Sequence, residues 1–545
     1  MKRFWQSLFV MNKSTLIVVV SVFLMAFGNR AFFANIVDVY PLNPGNAAFL
    51  ISLAVVFGAA LVLIFSLVCY RYTTKPVLIT ILMLSSFAAY FMDSYNTVID
   101  TDMLRNVAQT NVSEASDLMS GTLAIYVILL GILPSLFVYR VRITTGTVRR
   151  DILSTIKLAS ISLGIGVLTV VVFGNFYASF IREHKILRYY ANPSFYLVST
   201  VKFAGSFIES SSLPFKMIAE DAHAAPSDGS RELMIMVVGE TARADRFSLN
   251  GYERETNPEL AKEDVISFSD FWSCGTSTAT SVPCMFSVYG TSNYDEQKAA
   301  ATENVLDILA RTGVNVLWLD NNSDSKGTAT RITYRNFKTP ENNPECDGEE
   351  CRDTGMLTNL QQYIDAHPKG DILIVLHQMG NHGPAYYKRY PKAFEKFTPV
   401  CQTNQLEECS KESINNAYDN AILYTDFFLS KVIDLLKRNA GGFQTGMFYV
   451  SDHGESLGEF DVYLHGLPMF IAPDAQRHVP AVMWFSDNFS GVNEGALRAA
   501  KDQTMNHDWI FHTLLGLFDV RTEAYQPGLD ILNIPGAEIA RTPAH

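Results

Sequence analysis

Several apolar runs in this chain end on residues able to bind a metal or take a proton. "LMIMVVGET" stops at Glu240 and "VNVLWLDNN" at Asp320, while "DILIVLHQMGNH" carries His377 and His382, and "GMFYVSDHGES" carries Asp452 and His453. Asp, Glu and His are ordinary zinc ligands, and a bound divalent cation lowers the pKa of an oxygen nucleophile. A candidate nucleophile lies in "SCGTSTATSVPCMFS", residues 273 to 287, where Thr276, Thr278 and Thr280 stand between Cys274 and Cys284. A threonine hydroxyl attacks poorly unless a metal or a base activates it. Glu240, Asp452 and His453 could form such a metal site, with one threonine completing it; spacing does not say which. His382 and His465 suit a second metal, a phosphate or a leaving group. Asn322 and Lys326, in "DNNSDSKG", suit anion binding.

Positioning these residues requires a sheet. From residue 231 onward, continuous apolar runs alternate with helical stretches, and "VPAVMWFS" extends the series. That pattern predicts a parallel sheet covered on both faces, with the ligand site beyond the carboxyl ends of its strands.

The part before residue 176 is different. Apolar runs long enough to cross a bilayer lie near 14–35, 47–70, 76–94, 121–139 and 153–175. Four further spans follow the first, so it is not a cleaved leader. Lys2, Arg3 and Lys13, then Arg71 and Lys75, then Arg140, Arg142, Arg149 and Arg150 mark one side of the membrane. The intervening loops carry Asp38, Asp100, Asp102, Glu114 and Asp117, with Arg105 as their only cation. The amino terminus is therefore expected in the cytoplasm, and an odd number of spans exports the carboxy-terminal part. Cysteine usage agrees: apart from Cys69, the cysteines fall into close pairs, Cys274 with Cys284, Cys346 with Cys351 and Cys401 with Cys409. Adjacent pairing as disulfides is the simplest connectivity and fits an oxidising compartment. The net charge of −12 and the lack of a basic patch exclude a nucleic-acid partner.

Between the two parts, residues 181–230 read as interfacial helix followed by the polar linker "AEDAHAAPSDGS". The expected domains are thus a five-span membrane domain over 1–180, interfacial helices and linker over 181–230, and an exported catalytic domain over 231–545. In the loop between spans three and four, Asn106, Thr110 and Glu114 recur every four residues and on a helix would share one face.

At this point the motifs resemble a family. "VVGETARADRFSLNGYERETNP", "SCGTSTATSVPCMFS", "LDNNSDSKG", "LHQMGNHGPAYYKRY", "FTPVC", "AYDNAILYTD" and "YVSDHGESLGE" with "YLHGLP" look like the phosphoethanolamine transferases acting on lipid A, which include the mobile colistin-resistance enzymes. The resemblance implies five transmembrane helices plus an α/β/α alkaline-phosphatase/sulfatase-like exported domain that binds zinc. It places Glu240, Thr278, Asp452 and His453 as zinc ligands, with Thr278 the nucleophile, and His382 and His465 at a second zinc or the substrate. Asn322 and Lys326 match the family's phosphoethanolamine contacts, and Asn106, Thr110 and Glu114 its donor headgroup contacts. Thr280 falls where the family varies.

The reading is an inner-membrane, zinc-dependent transferase of a Gram-negative bacterium with its catalytic domain in the periplasm, expected to be a monomer. It moves phosphoethanolamine from phosphatidylethanolamine to a phosphate of lipid A through a covalent phospho-threonine, with one tight zinc and room for a second. Lower surface negative charge and polymyxin resistance would follow. The alternative keeps the chemistry but modifies a lipopolysaccharide core or Kdo sugar. A phosphoglycerol transferase of the lipoteichoic-acid type is disfavoured by the cysteine pairs and the "SVPCMFS" context, and a ligand-binding sensor or transporter by the clamped threonine beside converging metal ligands.

Overall fold

The computed structural model describes residues 10–534 apart from 111, 145, 211–212, 226–228 and 348–349. The chain divides into two compact units, residues 1–104 with 119–203, and residues 105–118 with 204–545.

In the first unit, Pro44–Val68, Thr74–Tyr95, Gly121–Arg140 and Val148–Val172 are each long and apolar enough to cross a membrane. The expected first span differs: Lys13–Phe27 and Arg30–Val39 are two helices bent by 55°. Gly28 and Asn29 sit at the break, and both are weak helix formers. Buried Asn29 replaces the lost backbone ladder, donating from Nδ2 to the carbonyls of Leu24 (2.8 Å) and Asn192 (2.7 Å). Val127–Ile132 is a π-helical stretch inside the fourth span. Pro134 follows it, and a proline ring displaces the carbonyl four residues earlier, which widens the helix there. A Cβ on Gly131 would come within 2.7 Å of Ser86 Oγ, so glycine lets these two helices approach. Leu163, Val167, Leu168, Val171 and Val172 on the last span are exposed, as side chains facing lipid would be.

The second unit is built on an eight-stranded sheet. We number its strands β1 (Glu232–Gly239), β2 (Ile266–Trp272), β3 (Asn315–Asp320), β4 (Thr333–Asn336), β5 (Ile372–His377), β6 (Gln444–Ser451), β7 (His478–Phe485) and β8 (Met505–Asn506). The order across the sheet is β8-β2-β7-β6-β1-β5-β3-β4. Strands β6, β1, β5, β3 and β4 are parallel, but β7 runs antiparallel to both β6 and β2. "VPAVMWFS", expected to extend the parallel series, is thus an antiparallel strand, since an apolar run does not record direction. Alternate residues of β1, Met234 and Met236 on one face and Leu233 and Ile235 on the other, are all buried, so helices cover both faces as expected. The longest of these helices, Lys411–Asn439, starts at an N-cap, Ser410 Oγ accepting from Ser413 N, and carries Lys437 and Arg438 in its last turn. Both ends suit the helix dipole.

The topology has one consequence for function. Strands β1, β3, β5 and β6 point the same way, and β2, reversed twice through β7, points with them. Their carboxyl ends therefore deliver Glu240, Asn322, the 378–382 turn, Asp452–His453 and the 273–278 stretch to one edge. Three disulfides join Cys274 to Cys284, Cys346 to Cys351 and Cys401 to Cys409, and Cys69 is free and buried.

Candidate active site

Thr278 is the first residue of the helix Thr278–Met285, and Ser277 occupies its N-cap in extended conformation. The stretch before it is a tight entry into this helix. Gly275 makes the entry feasible, because a Cβ there would lie 2.8 Å from Ser281 Oγ and 3.0 Å from Thr280 Cγ2. The three threonines then part company. Thr276 Oγ1 donates to the Leu467 carbonyl at 2.7 Å, and Thr280 Oγ1 donates to Glu296 Oε1 at 3.3 Å. Only Thr278 turns toward the strand ends, its Oγ1 lying 3.1 Å from Glu240 Oε2 and 3.3 Å from His453 Nε2.

Around that hydroxyl the buried side chains of Glu240, Asp452 and His453 each bring one ligand atom within 4.8 Å of the others. His453 Nδ1 faces the Gly454 carbonyl at 2.8 Å, so that nitrogen carries the proton and Nε2 presents a lone pair. Burial, reinforced by His465, pushes the His453 pKa down to about 3, which keeps the ring neutral. Burial and then the Glu240 charge push Asp452 well above the usual carboxylate range. Its Oδ2 is buried with no hydrogen-bond partner. Two adjacent buried carboxylates, an orphaned oxygen and a neutral imidazole are the donor set a divalent cation completes.

A second group, His453, Glu455 and His465, meets the same distance criterion. Glu455 is fully buried, accepts from Tyr386 Oη at 2.6 Å, and lies 2.8 Å from His465 Nδ1. His465 therefore also turns Nε2 outward from its carboxylate partner. The His382 ring stands 5.9 Å from that of His465, centroid to centroid.

The anion-binding pair is divided. Asn322 spends both amide hydrogens inside the protein, on Glu240 Oε2 (2.8 Å) and the Gln378 carbonyl (2.7 Å). Lys326 Nζ donates to Ser323 Oγ at 2.6 Å. Asp320 and His377, the other strand-end candidates, pair with each other at 2.9 Å. Asp320 also accepts from Trp318 Nε1 and the backbone N–H of Asn322, which makes it a brace for the 320–326 loop.

The continuous helical face expected for Asn106, Thr110 and Glu114 does not form. A helix covers Thr101–Gln109 and a second one Val112–Asp117. Thr110 lies between them, with its hydroxyl on the Asn106 carbonyl at 2.6 Å. A β-branched hydroxyl that competes for the backbone this way favours a helix end over a helix interior. The Glu114 side chain lies outside the described residues.

Other contributors carry no mark in composition or spacing. Thr241 holds φ +59, a conformation costly for a β-branched residue. Its Oγ1 donates to Glu240 Oε1 at 2.5 Å and its N to Asp452 Oδ1 at 3.2 Å, so the strained residue ties two candidate ligands together. Gly380, at φ +48, packs where a Cβ would lie 2.8 Å from the Glu240 carbonyl. Asp353 pins that turn from below, accepting from Met379 N (2.8 Å) and Gly380 N (3.1 Å). The only sequence cue to Thr241 is its place directly after a strand-end carboxylate.

A threonine at a helix start, facing carboxylates and histidines at the carboxyl ends of a doubly covered sheet, defines the alkaline-phosphatase and sulfatase class of enzymes. Comparison with known proteins agrees. The Sulfatase family model matches residues 232–520, and that of the phosphoethanolamine transferases EptA/EptB matches residues 57–206. Phosphatidylethanolamine transferase Mcr-1 of Escherichia coli is 46% identical over 520 residues, covering 93% of this chain and 95% of that protein. The structure of the integral membrane lipooligosaccharide phosphoethanolamine transferase A from Neisseria meningitidis superposes with a TM-score of 0.93 at 35% identity, covering 96% of this chain and 99% of that one. A Kdo(2)-lipid A phosphoethanolamine 7''-transferase of Salmonella typhimurium is more distant, 28% identical over 436 residues and 75% of each chain. The chain belongs to the lipid A phosphoethanolamine transferase family. It is an inner-membrane protein with a sulfatase-like periplasmic domain.

Proposed function

We propose that the protein transfers phosphoethanolamine from phosphatidylethanolamine to a phosphate of lipid A, with Thr278 as nucleophile and zinc held by Glu240, Thr278, Asp452 and His453. The observation that carries this reading is the position of Thr278 Oγ1, 3.1 Å from Glu240 Oε2 and 3.3 Å from His453 Nε2. A zinc ion bound there would supply the positive charge that acidifies the hydroxyl and steadies the phosphoryl oxygens. Thr278 passes its proton to Glu240 Oε2 as Oγ1 attacks the donor phosphorus. The bond from phosphorus to the diacylglycerol oxygen breaks, and that oxygen takes a proton from His382 or His465. A lipid A phosphate oxygen then attacks the phospho-threonine as its proton returns to that histidine, the P–Oγ1 bond breaks, and Thr278 Oγ1 recovers its proton from Glu240. Glu455 keeps His465 in the orientation this exchange needs.

In this reading residues 1–180 span the membrane, 181–230 follow its surface and 231–545 do the chemistry on a monomer. Asn106, Thr110 and Glu114 meet the donor headgroup, and Lys326 meets its phosphate. The group His453, Glu455 and His465 would take a second zinc or substrate. The added ammonium group lowers the negative charge of lipid A and weakens polymyxin binding. The relatives' names support the donor and the transferred group, and the greater distance of the Kdo-directed relative supports a phosphate acceptor. Mass spectrometry of lipid A from cells expressing the protein tests it. One added phosphoethanolamine on a lipid A phosphate, absent with Thr278→Ala, is expected; an adduct only on Kdo or core sugar would refute the acceptor assignment.

A further inference from the structure

Residues 105–118 lie between two membrane spans in the sequence but group with the exported domain, and contacts at both ends and in the middle hold them there, among them Asn404 Nδ2 donating to the Asp117 carbonyl at 2.7 Å. At one end Arg105 pairs with both oxygens of Glu296, with Nη1 2.5 Å from Oε1. In the middle the Gln109 carbonyl accepts from Lys326 Nζ at 3.5 Å. At the other end Asp117 Oδ2 meets Arg389 Nη2 at 2.5 Å, and its Oδ1 meets Lys388 Nζ at 3.0 Å.

Each partner belongs to, or is bonded to, a segment that carries a site residue. Glu296 accepts from Thr280, two residues from the nucleophile. Lys326 closes the loop that begins at Asn322. Arg389 donates from Nε to the carbonyl of His382 at 2.6 Å. The Arg389 side chain is 2% exposed, and Glu350 completes its shell at 2.7 Å. Two cations, Arg389 and Lys388, face two anions, Asp117 and Glu350, so the buried cluster is neutral. The best-attested use of a buried and fully paired charge is to fix register rather than to add stability.

We propose that Arg389 and Glu296 are positioning residues. They fix segment 105–118 against the loops carrying Thr278, Asn322 and His382, and the docked segment makes the site selective for phosphoethanolamine esterified to a lipid. The selectivity rests on the function proposed above, since Asn106 and Thr110 are the headgroup contacts the segment would present; the docking does not. Asp117 separates the two roles of Arg389. In Asp117→Asn the guanidinium keeps Glu350 and the His382 carbonyl, so the catalytic loops stay intact, while this end of the segment loses its ion pairs and keeps the bond from Asn404 Nδ2 to the residue's carbonyl at 2.7 Å.

The test uses the full-length protein in mixed micelles. Hydrogen exchange of the peptide covering 101–118 should speed up in Asp117→Asn and in Arg105→Glu, with β5 protection unchanged. KM for phosphatidylethanolamine should rise about tenfold, the effect of losing roughly one strong charge-assisted contact, while hydrolysis of the soluble ester p-nitrophenyl phosphoethanolamine stays within about twofold. The exchanged pair Arg105→Glu with Glu296→Arg should recover both readouts. Unchanged exchange at 101–118 in both single variants would overturn the docking whatever the protein's activity. Equal losses on the lipid and the soluble ester would overturn the selectivity. Wild-type protein that hydrolyses the soluble ester but never modifies lipid A would sink the acceptor assignment, and the exchange data would still judge the docking.

Discussion

Asn322 donates from Nδ2 to Glu240 Oε2 at 2.8 Å, the same carboxylate oxygen that Thr278 Oγ1 approaches at 3.1 Å. The amide thus aims the candidate metal ligand at the nucleophile, and its other hydrogen is anchored on the Gln378 carbonyl. Asn322→Asp keeps the shape but sets a second buried carboxylate against the first. We expect transfer to fall at least about a hundredfold, because an uncompensated buried charge costs several kcal/mol, with bound zinc reduced. Wild-type rates in that variant, measured by lipid A mass spectrometry, would remove Asn322 from the site.

His453→Ala should lower tightly bound zinc and abolish transfer without unfolding the protein, since its ring bonds to the Gly454 carbonyl and to Thr278 Oγ1 and takes no part in the sheet ladder. Metal analysis beside circular dichroism checks both halves. Undiminished zinc in a folded variant would take His453 out of the ligand set.

The Cys274–Cys284 disulfide closes a ten-residue separation over the nucleophile. Replacing both cysteines by serine should cost stability within the roughly 2–4 kcal/mol range of such bonds. It should also reduce transfer more than the same change at Cys401–Cys409, which does not enclose the nucleophile. Thermal melts and rates on the two double variants decide this. Equal activities would deny the first bond any role in holding Thr278.

Asp426 supplies a pH prediction outside the metal site. Burial pushes its carboxyl up to about 7, against the backbone N–H groups of Leu260 and Glu259 that favour the charged form. An unfolded aspartate titrates near about 3.9, so between there and about 7 the folded protein holds a proton that the unfolded chain has released. Stability from this group is therefore greatest at low pH and falls as pH rises through that window. Asp426→Asn should flatten the dependence, giving a smaller drop in melting temperature between about pH 5 and pH 7 than wild type. A parallel pair of curves would contradict the assignment.

Much of this site was legible in the sequence because strand-end residues of a parallel sheet must converge. Glu240, Asp452 and His453 could be grouped from their strands alone. Choosing Thr278 over Thr276 and Thr280 needed the resemblance, since the choice depends on how Gly275 turns the chain into a helix. Strand β2 is not evident because "ISFSDFW" alternates over only seven residues, and β7 contradicts the expected parallel direction because burial on both faces looks the same either way. The bend at Gly28–Asn29 and the break at Thr110 were missed for one reason. Each is a local contest between side chain and backbone hydrogen bonds, and apolar periodicity does not record it. Thr241 reaches Asp452, Glu455 accepts from Tyr386 and Arg389 meets Asp117, pairings between distant parts of the sequence that no local pattern encodes.

The central claim is that Thr278 becomes covalently phosphorylated. Peptide mass spectrometry of the enzyme trapped with phosphatidylethanolamine and no acceptor tests it most directly. The account predicts phosphoethanolamine on Thr278, none in Thr278→Ala, an unchanged adduct in Thr280→Ala, and a slower one in Thr278→Ser, which keeps the oxygen but loses the methyl group's rotamer restriction. An adduct on Thr276 or Thr280, or an active enzyme that never carries one, would contradict it.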